Sequence, residues 1–159
     1  MKLAIGMLNG AMAGAAGTTA LNAATYLDMV LRGRPSSTGP EDTAEKLAAK
    51  ASVQIPGDDE TRPNRVSGLG ALNGIASGVL IGSALSMLRS AGWNAGAPAT
   101  GLVGTLAAMA LTDGTMAVLG TTNPRTWSPS DWASDLGPHL AYGFITSAAL
   151  QRMSNPASQ

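Results

Sequence analysis

Charge falls along this chain in blocks, and the blocks without charge are as long as a lipid bilayer is thick. No Asp, Glu, Lys or Arg occurs between Lys2 and Asp28, from Val66 to Leu88, or from Ser90 to Thr112. The stretch from Leu136 to Gln151 holds only His139. A hydrocarbon core about 30 Å thick takes roughly 20 helical residues to cross. The first three stretches meet that length, and the fourth serves if the chain is helical from Gly137 to Met153. Most of the charges lie between Asp28 and Arg65, so the mean hydropathy of +0.12 averages two unlike kinds of segment.

A soluble Gly- and Ala-rich bundle is the competing arrangement. Such a helix shows a charged face at every turn, which these stretches lack. With one Phe and no Cys among 159 residues, an aqueous core would also be short of large apolar side chains. A soluble protein held at the membrane surface is a third arrangement, excluded if the chain resists an alkaline carbonate wash. Without Cys there is no disulfide or thiolate chemistry. Net charge is zero, from 10 basic and 10 acidic residues, and no basic stripe suits nucleic acid.

These features predict an all-α integral membrane bundle forming a single domain over 1–159, with about four transmembrane helices at 3–31, 66–88, 98–119 and 137–153. Lys2 and the apolar run after it have the outline of a signal peptide, with Leu21-Asn22-Ala23 as a poor cleavage site. Gly6, Gly10, Gly14 and Gly17 interrupt that run, and the same pattern returns later in the chain, so it is read as a span. Gly33, Pro35 and Gly39 break the first helix. Pro40 to Ser52 predicts a short polar helix, with Pro40 in its first turn, Glu41 and Asp42 at its positive end, and Lys46 and Lys50 at its negative end. A second short helix is expected at Ser128-Pro129-Ser130-Asp131, where a serine cap precedes a proline. Trp93, Trp127 and Trp132 sit where interfacial indoles would. The last span starts near Pro138 and runs into a small polar tail.

Four spans put both termini on one side with Arg89. The loop 32–65 and Arg125 lie on the other side with seven basic residues: Arg32, Arg34, Lys46, Lys50, Arg62, Arg65 and Arg125. The positive-inside rule then places the long loop in the cytoplasm.

One string occurs twice. Gly6-Met-Leu8-Asn9-Gly10 runs on to Gly14, and Gly70-Ala-Leu72-Asn73-Gly74 runs on to Gly78, then Gly82 and Ser86. On a helix, glycines four apart make a groove that lets two backbones approach, and Asn9 and Asn73 add interhelical hydrogen bonds worth about 1 kcal/mol each. In four-span topology these two helices run antiparallel. The groove serves packing within the chain, a self-association face, or a pore lining.

Ionisable residues within spans are functional candidates because burial is costly. Asp28 lies one turn before Arg32, so an interfacial ion pair explains it. Asp113 sits inside the third span between Thr112 and Thr115, and His139 opens the fourth, three residues before Tyr142. An Asp113–His139 pair could relay a proton or, more plainly, bond the two helices together. One His and no Cys argue against a dedicated zinc site. No G-x-S-x-G elbow, phosphate loop or H-E-x-x-H is present. No catalytic residue, cofactor or metal is therefore expected.

The stretch Gly120-Thr121-Thr122-Asn123-Pro124, followed by Trp132, Asp135 and His139-Leu140, resembles the last third of YagU-like bacterial inner-membrane proteins. In those proteins a Gly/Pro break and a short aromatic, acidic segment precede a His-Leu at the start of the final span. The likeness covers about 35 residues and implies a polytopic protein of the bacterial inner membrane, in a group whose biochemical role is undefined. The expectation is a non-enzymatic module that associates with itself or with a larger membrane complex through its glycine faces. The alternative is a small channel or proton-linked permease using Asp113 and His139.

Overall fold

The computed structural model describes residues 2–154, and the polar tail at 155–159 lies outside the described residues. Five α-helices and one 3-10 turn follow in order: α1 (Lys2–Arg32), α2 (Gly39–Lys50), α3 (Thr61–Ser90), α4 (Ala97–Leu119), the 3-10 turn (Pro124–Thr126) and α5 (Pro129–Ser154). No strand occurs among the described residues. Two helices, Thr61–Ser90 and Ala97–Leu119, are long and apolar enough to cross a membrane.

α1 packs between α3 and α5 and runs antiparallel to both; α4 lies against α5 and, more lightly, α3. The α1–α3 seam is set by glycine. A Cβ on Gly10 would come within 2.6 Å of the Gly82 carbonyl oxygen and Ser83 Cα, and one on Gly82 within 2.6 Å of Gly14 Cα. Only hydrogen fits there. Ser86 Oγ closes the seam by donating to the Gly6 carbonyl at 2.7 Å. The α4–α5 seam repeats the device, since a Cβ on Gly143 would lie 2.7 Å from the Thr105 amide nitrogen.

The interior is correspondingly small and polar. Its largest fully buried side chains are Tyr142, Leu150, Thr100, Thr105, Thr146 and Ser147, whereas Leu72, Leu80, Leu106 and Val118 face outward. Water would select the opposite distribution, because burying apolar area is its main driving force. Lipid tails are as apolar as leucine, so close backbone contact governs packing there instead. Tyr142, reaching across from α5, donates its hydroxyl to the Gly78 carbonyl at 2.7 Å. Tyr142→Phe is expected to cost about 1 kcal/mol, read as a lower unfolding midpoint with unchanged helix content.

α2 forms as its sequence predicts, with Pro40 in the first turn, Glu41 and Asp42 behind it and Lys50 in the last turn. Its charges reach outward to other helices. Glu45 pairs with Arg62 at 2.6 Å, and Lys46 donates to the Leu119 and Gly120 carbonyls at 2.9 Å each. The last carbonyls of α4 lack helical donors and carry partial negative charge, so an ammonium is a fitting cap. Gly120 itself takes the left-handed conformation (φ 69°) that ends α4.

One expected boundary is corrected. Gly137-Pro138 predicts a helix start, yet α5 is already helical from Pro129 and runs through Pro138. The short helix expected at 128–132 is therefore its first turns. Ser128 and Asp131 exchange hydrogen bonds as a reciprocal cap: Ser128 Oγ donates to Asp131 at 2.7 Å, and the Asp131 amide donates back at 3.2 Å. Those bonds from Ser128 hold the Asp131 carboxyl below the usual carboxylate range. A proline inside a helix removes one N–H and crowds the carbonyl four residues back. Here that disturbance falls at Ser134, whose hydroxyl is engaged by α1 (Arg32 Nη1, 2.6 Å).

Candidate functional site

The ionisable residues singled out within spans all lie toward the end of the bundle that carries α2, but they separate into two clusters. Asp28 belongs to an ionic one. Arg32 contacts it at 3.3 Å, Arg34 Nε donates to its other oxygen, and Ser134 donates to it at 3.2 Å. Arg32 also reaches Ser130 on α5. The carboxylate is thus tied up by two guanidinium groups, which anchor the end of α1 to the start of α5.

Asp113 and His139 lie near one another on α4 and α5, with Thr112 hydrogen-bonded to both rather than a direct bond between them among the described residues, and Asp135 joins them. Each offers one ligand atom within 4.8 Å of the others. Asp113 and His139 are buried, at 7 % exposure each, and Asp135 is half-buried. Asp135 enters because α5 is continuous through Pro138, so residues 135 and 139 stack one turn apart. Its signal in the sequence was the i,i+4 spacing to His139, masked by the apparent helix start between them.

The hydrogen bonds fix the orientation of the ring. His139 Nδ1 lies 2.8 Å from the Asp135 carbonyl oxygen and 3.4 Å from Asp135 Oδ1. Both are acceptors, so Nδ1 carries the proton. Nε2 then faces the cluster, 3.2 Å from Thr112 Oγ1. The Thr112 hydroxyl has a single proton, and three acceptors are within its reach: the Ala108 carbonyl at 2.9 Å, His139 Nε2, and Asp113 Oδ1 at 3.4 Å. Asp135 Oδ2 is closed off from solvent without any hydrogen-bond partner. No Lys or Arg pairs with either carboxylate among the described residues. The site holds more acceptors than donors and no paired Lys or Arg among the described residues.

Tyr142 is not part of this cluster. Its hydroxyl points to Gly78, into the contact of α5 with α1 and α3. The glycines also divide. Gly10, Gly14, Gly78 and Gly82 line the α1–α3 seam, Gly6 lies near Ser90 and Ser86, and Gly70 is pressed against the Pro40 backbone of α2. Gly74 has open space beside it. Asn73 next to it is exposed, and the side-chain amides of Asn73 and Asn9 make no hydrogen bond to another described residue. Asn73 borders an open apolar groove between α2 and α3, two adjoining hollows of about 370 and 350 Å³ lined by Leu47, Val53, Ile55, Leu69 and Leu72 among others.

Trp127 and Trp132 stack edge to face at a centroid distance of 4.9 Å, and Trp127 Nε1 donates to Thr122 at 2.9 Å. Trp93 sits at the opposite end of the bundle, packed on the core. Comparison with known proteins finds no matching family model, no matching curated protein and no matching solved structure.

Proposed function

We propose that this chain is a small multi-pass protein of the bacterial inner membrane, of the YagU-like kind, acting as a non-enzymatic assembly or accessory module. In this reading α1, α3, α4 and the 137–153 part of α5 cross the bilayer, closed on one another by glycine-zipper packing. The loop 32–65 lies in the cytoplasm, and the tryptophans mark the two interfaces. The partner is a second copy of the chain or a larger membrane complex. The observation that carries the proposal is the unsatisfied small-polar patch on the outside of α3. An asparagine amide facing lipid lacks hydrogen-bond partners, and Asn73 stands exposed beside Gly74, where a neighbouring backbone has room to approach. The glycines of the seams are already in contact within the chain, so Gly74 is the one of the repeated string left for another molecule.

Native mass spectrometry after gentle extraction tests this. The wild type is expected as an oligomer or with a stoichiometric companion, and Gly74→Leu as the lone folded chain. A wild type that is itself a lone chain, or a Gly74→Leu variant that assembles normally, overturns the reading. The buried Asp113 and His139, with ligand atoms within 4.8 Å of one another, favour a second reading, a small channel or proton-linked permease. That reading expects flux in vesicles that Asp113→Asn abolishes, and it fails if the wild type carries none.

A further inference from the structure

We propose that Asp113, Asp135 and His139 bind a divalent first-row metal ion of the Mn²⁺ class between α4 and α5, with the Thr112 oxygen at its edge. The proposal stands apart from the assembly reading and rests on three independent features of the cluster.

The first is its donor set. Two carboxylates, a hydroxyl and one imidazole form an oxygen-rich group with a single nitrogen, which suits Mn²⁺ or Fe²⁺ better than a thiolate-seeking ion. The second is the setting of the imidazole. Metal-bound histidines nearly always donate their other N–H to a carbonyl or carboxylate, which fixes the tautomer and aims the lone pair. His139 does this already through Nδ1 to the Asp135 carbonyl at 2.8 Å, leaving Nε2 turned toward Thr112 of α4. The third is the surplus of acceptors. Asp135 Oδ2 is sealed from solvent and unpartnered, and the lone Thr112 proton cannot serve all its neighbours. Two carboxylates close together in a poorly solvated site call for positive charge, and a dication matches their number.

The spacing is near what an ion needs. Ligands on opposite sides of an ion at about 2.1 Å are roughly 4.2 Å apart, against a spread of up to 4.8 Å here. Asp135 Oδ1 lies 3.4 Å from His139 Nδ1, so its carboxylate must also swing toward the Nε2 side to share the ion. The ion would clip the two helices together at the end of the bundle that carries α2.

The test uses the full chain in detergent, stripped with chelator, incubated with Mn²⁺ and freed of unbound ion. One equivalent should remain, and its electron spin resonance should show coupling to a single imidazole nitrogen. Asp113→Asn and His139→Gln should each weaken binding at least tenfold, and Asp28→Asn, at the same end but outside the cluster, should bind as the wild type does. Helix content and unfolding midpoint in chelator show whether each variant is folded. The nitrogen coupling is measured on the wild type, so a variant that fails to fold does not leave the question open. Retention of no ion, binding without nitrogen coupling, or equal binding by folded Asp113→Asn overturns the proposal.

Discussion

Gly82→Ala should unfold this protein or cost it about 3 kcal/mol or more, whereas Gly74→Ala, two turns away on the same helix, should leave stability unchanged or raise it by up to about 1 kcal/mol. The contrast follows from what each new methyl group meets. At Gly82 it lies 2.6 Å from both the Cα and the amide nitrogen of Gly14. These are main-chain atoms of another helix, so nothing can rotate away and α1 must back off along its length. The hydrogen bond from Ser86 to Gly6 then breaks as well, because it spans the same α1–α3 separation. At Gly74 the methyl group enters open space, and the helix gains the lower backbone entropy of alanine in the unfolded chain. Chemical denaturation of the purified variants, followed by circular dichroism, decides it. Equal stability of the two would mean that α1 and α3 are not in backbone contact.

Leu106→Arg is expected to reduce membrane insertion about a hundredfold. Leu106 is 64 % exposed and lies near the middle of α4. A charge at the centre of a spanning helix costs about 2.5–3.5 kcal/mol on insertion scales. Val118→Arg, at a site 84 % exposed but one residue from the end of α4, should insert almost normally because a long cation there can reach the headgroups. In water neither change would matter, since exposed substitutions usually stay within about 0.5 kcal/mol. The fraction of each variant retained in carbonate-washed membranes is the measurement. Equal retention at both positions would argue that α4 is not surrounded by lipid.

The repeated G-x-L-N-G string announces a close approach of two helices, and helical spacing alone places Gly10, Gly14, Gly78 and Gly82 on facing stripes. What the string leaves open is which turns are covered. Gly70 and Gly74 look alike in sequence, yet the first is pressed against Pro40 and the second is free. That difference depends on where α2 folds back, a tertiary fact without local signature. Asp113 is legible because a charge stands out in an apolar run, and His139 because it is the sole histidine. Asp135 is named only within the YagU-like stretch, and its one-turn spacing to His139 is hidden by Gly137-Pro138. Those two residues usually punctuate helices, and here the packing of α5 against both α1 and α4 overrides their preference.

The placement of α1 has a bearing on how the protein is made. Its partners are α3 and α5, and α5 is the last helix to be synthesised, beginning almost a hundred residues after α1 ends. At about 5–20 residues per second, the first helix waits roughly 5–20 seconds for the turn bearing Tyr142 and Thr146 to arrive beside Gly17. During that interval its Gly10–Gly14 face can already pack on α3, while the face at Gly17 lacks its α5 partner. A ribosome that stalls before residue 142 therefore leaves a chain whose oldest segment still lacks one of its two neighbours, with the Gly17 face of the N-terminal helix uncovered.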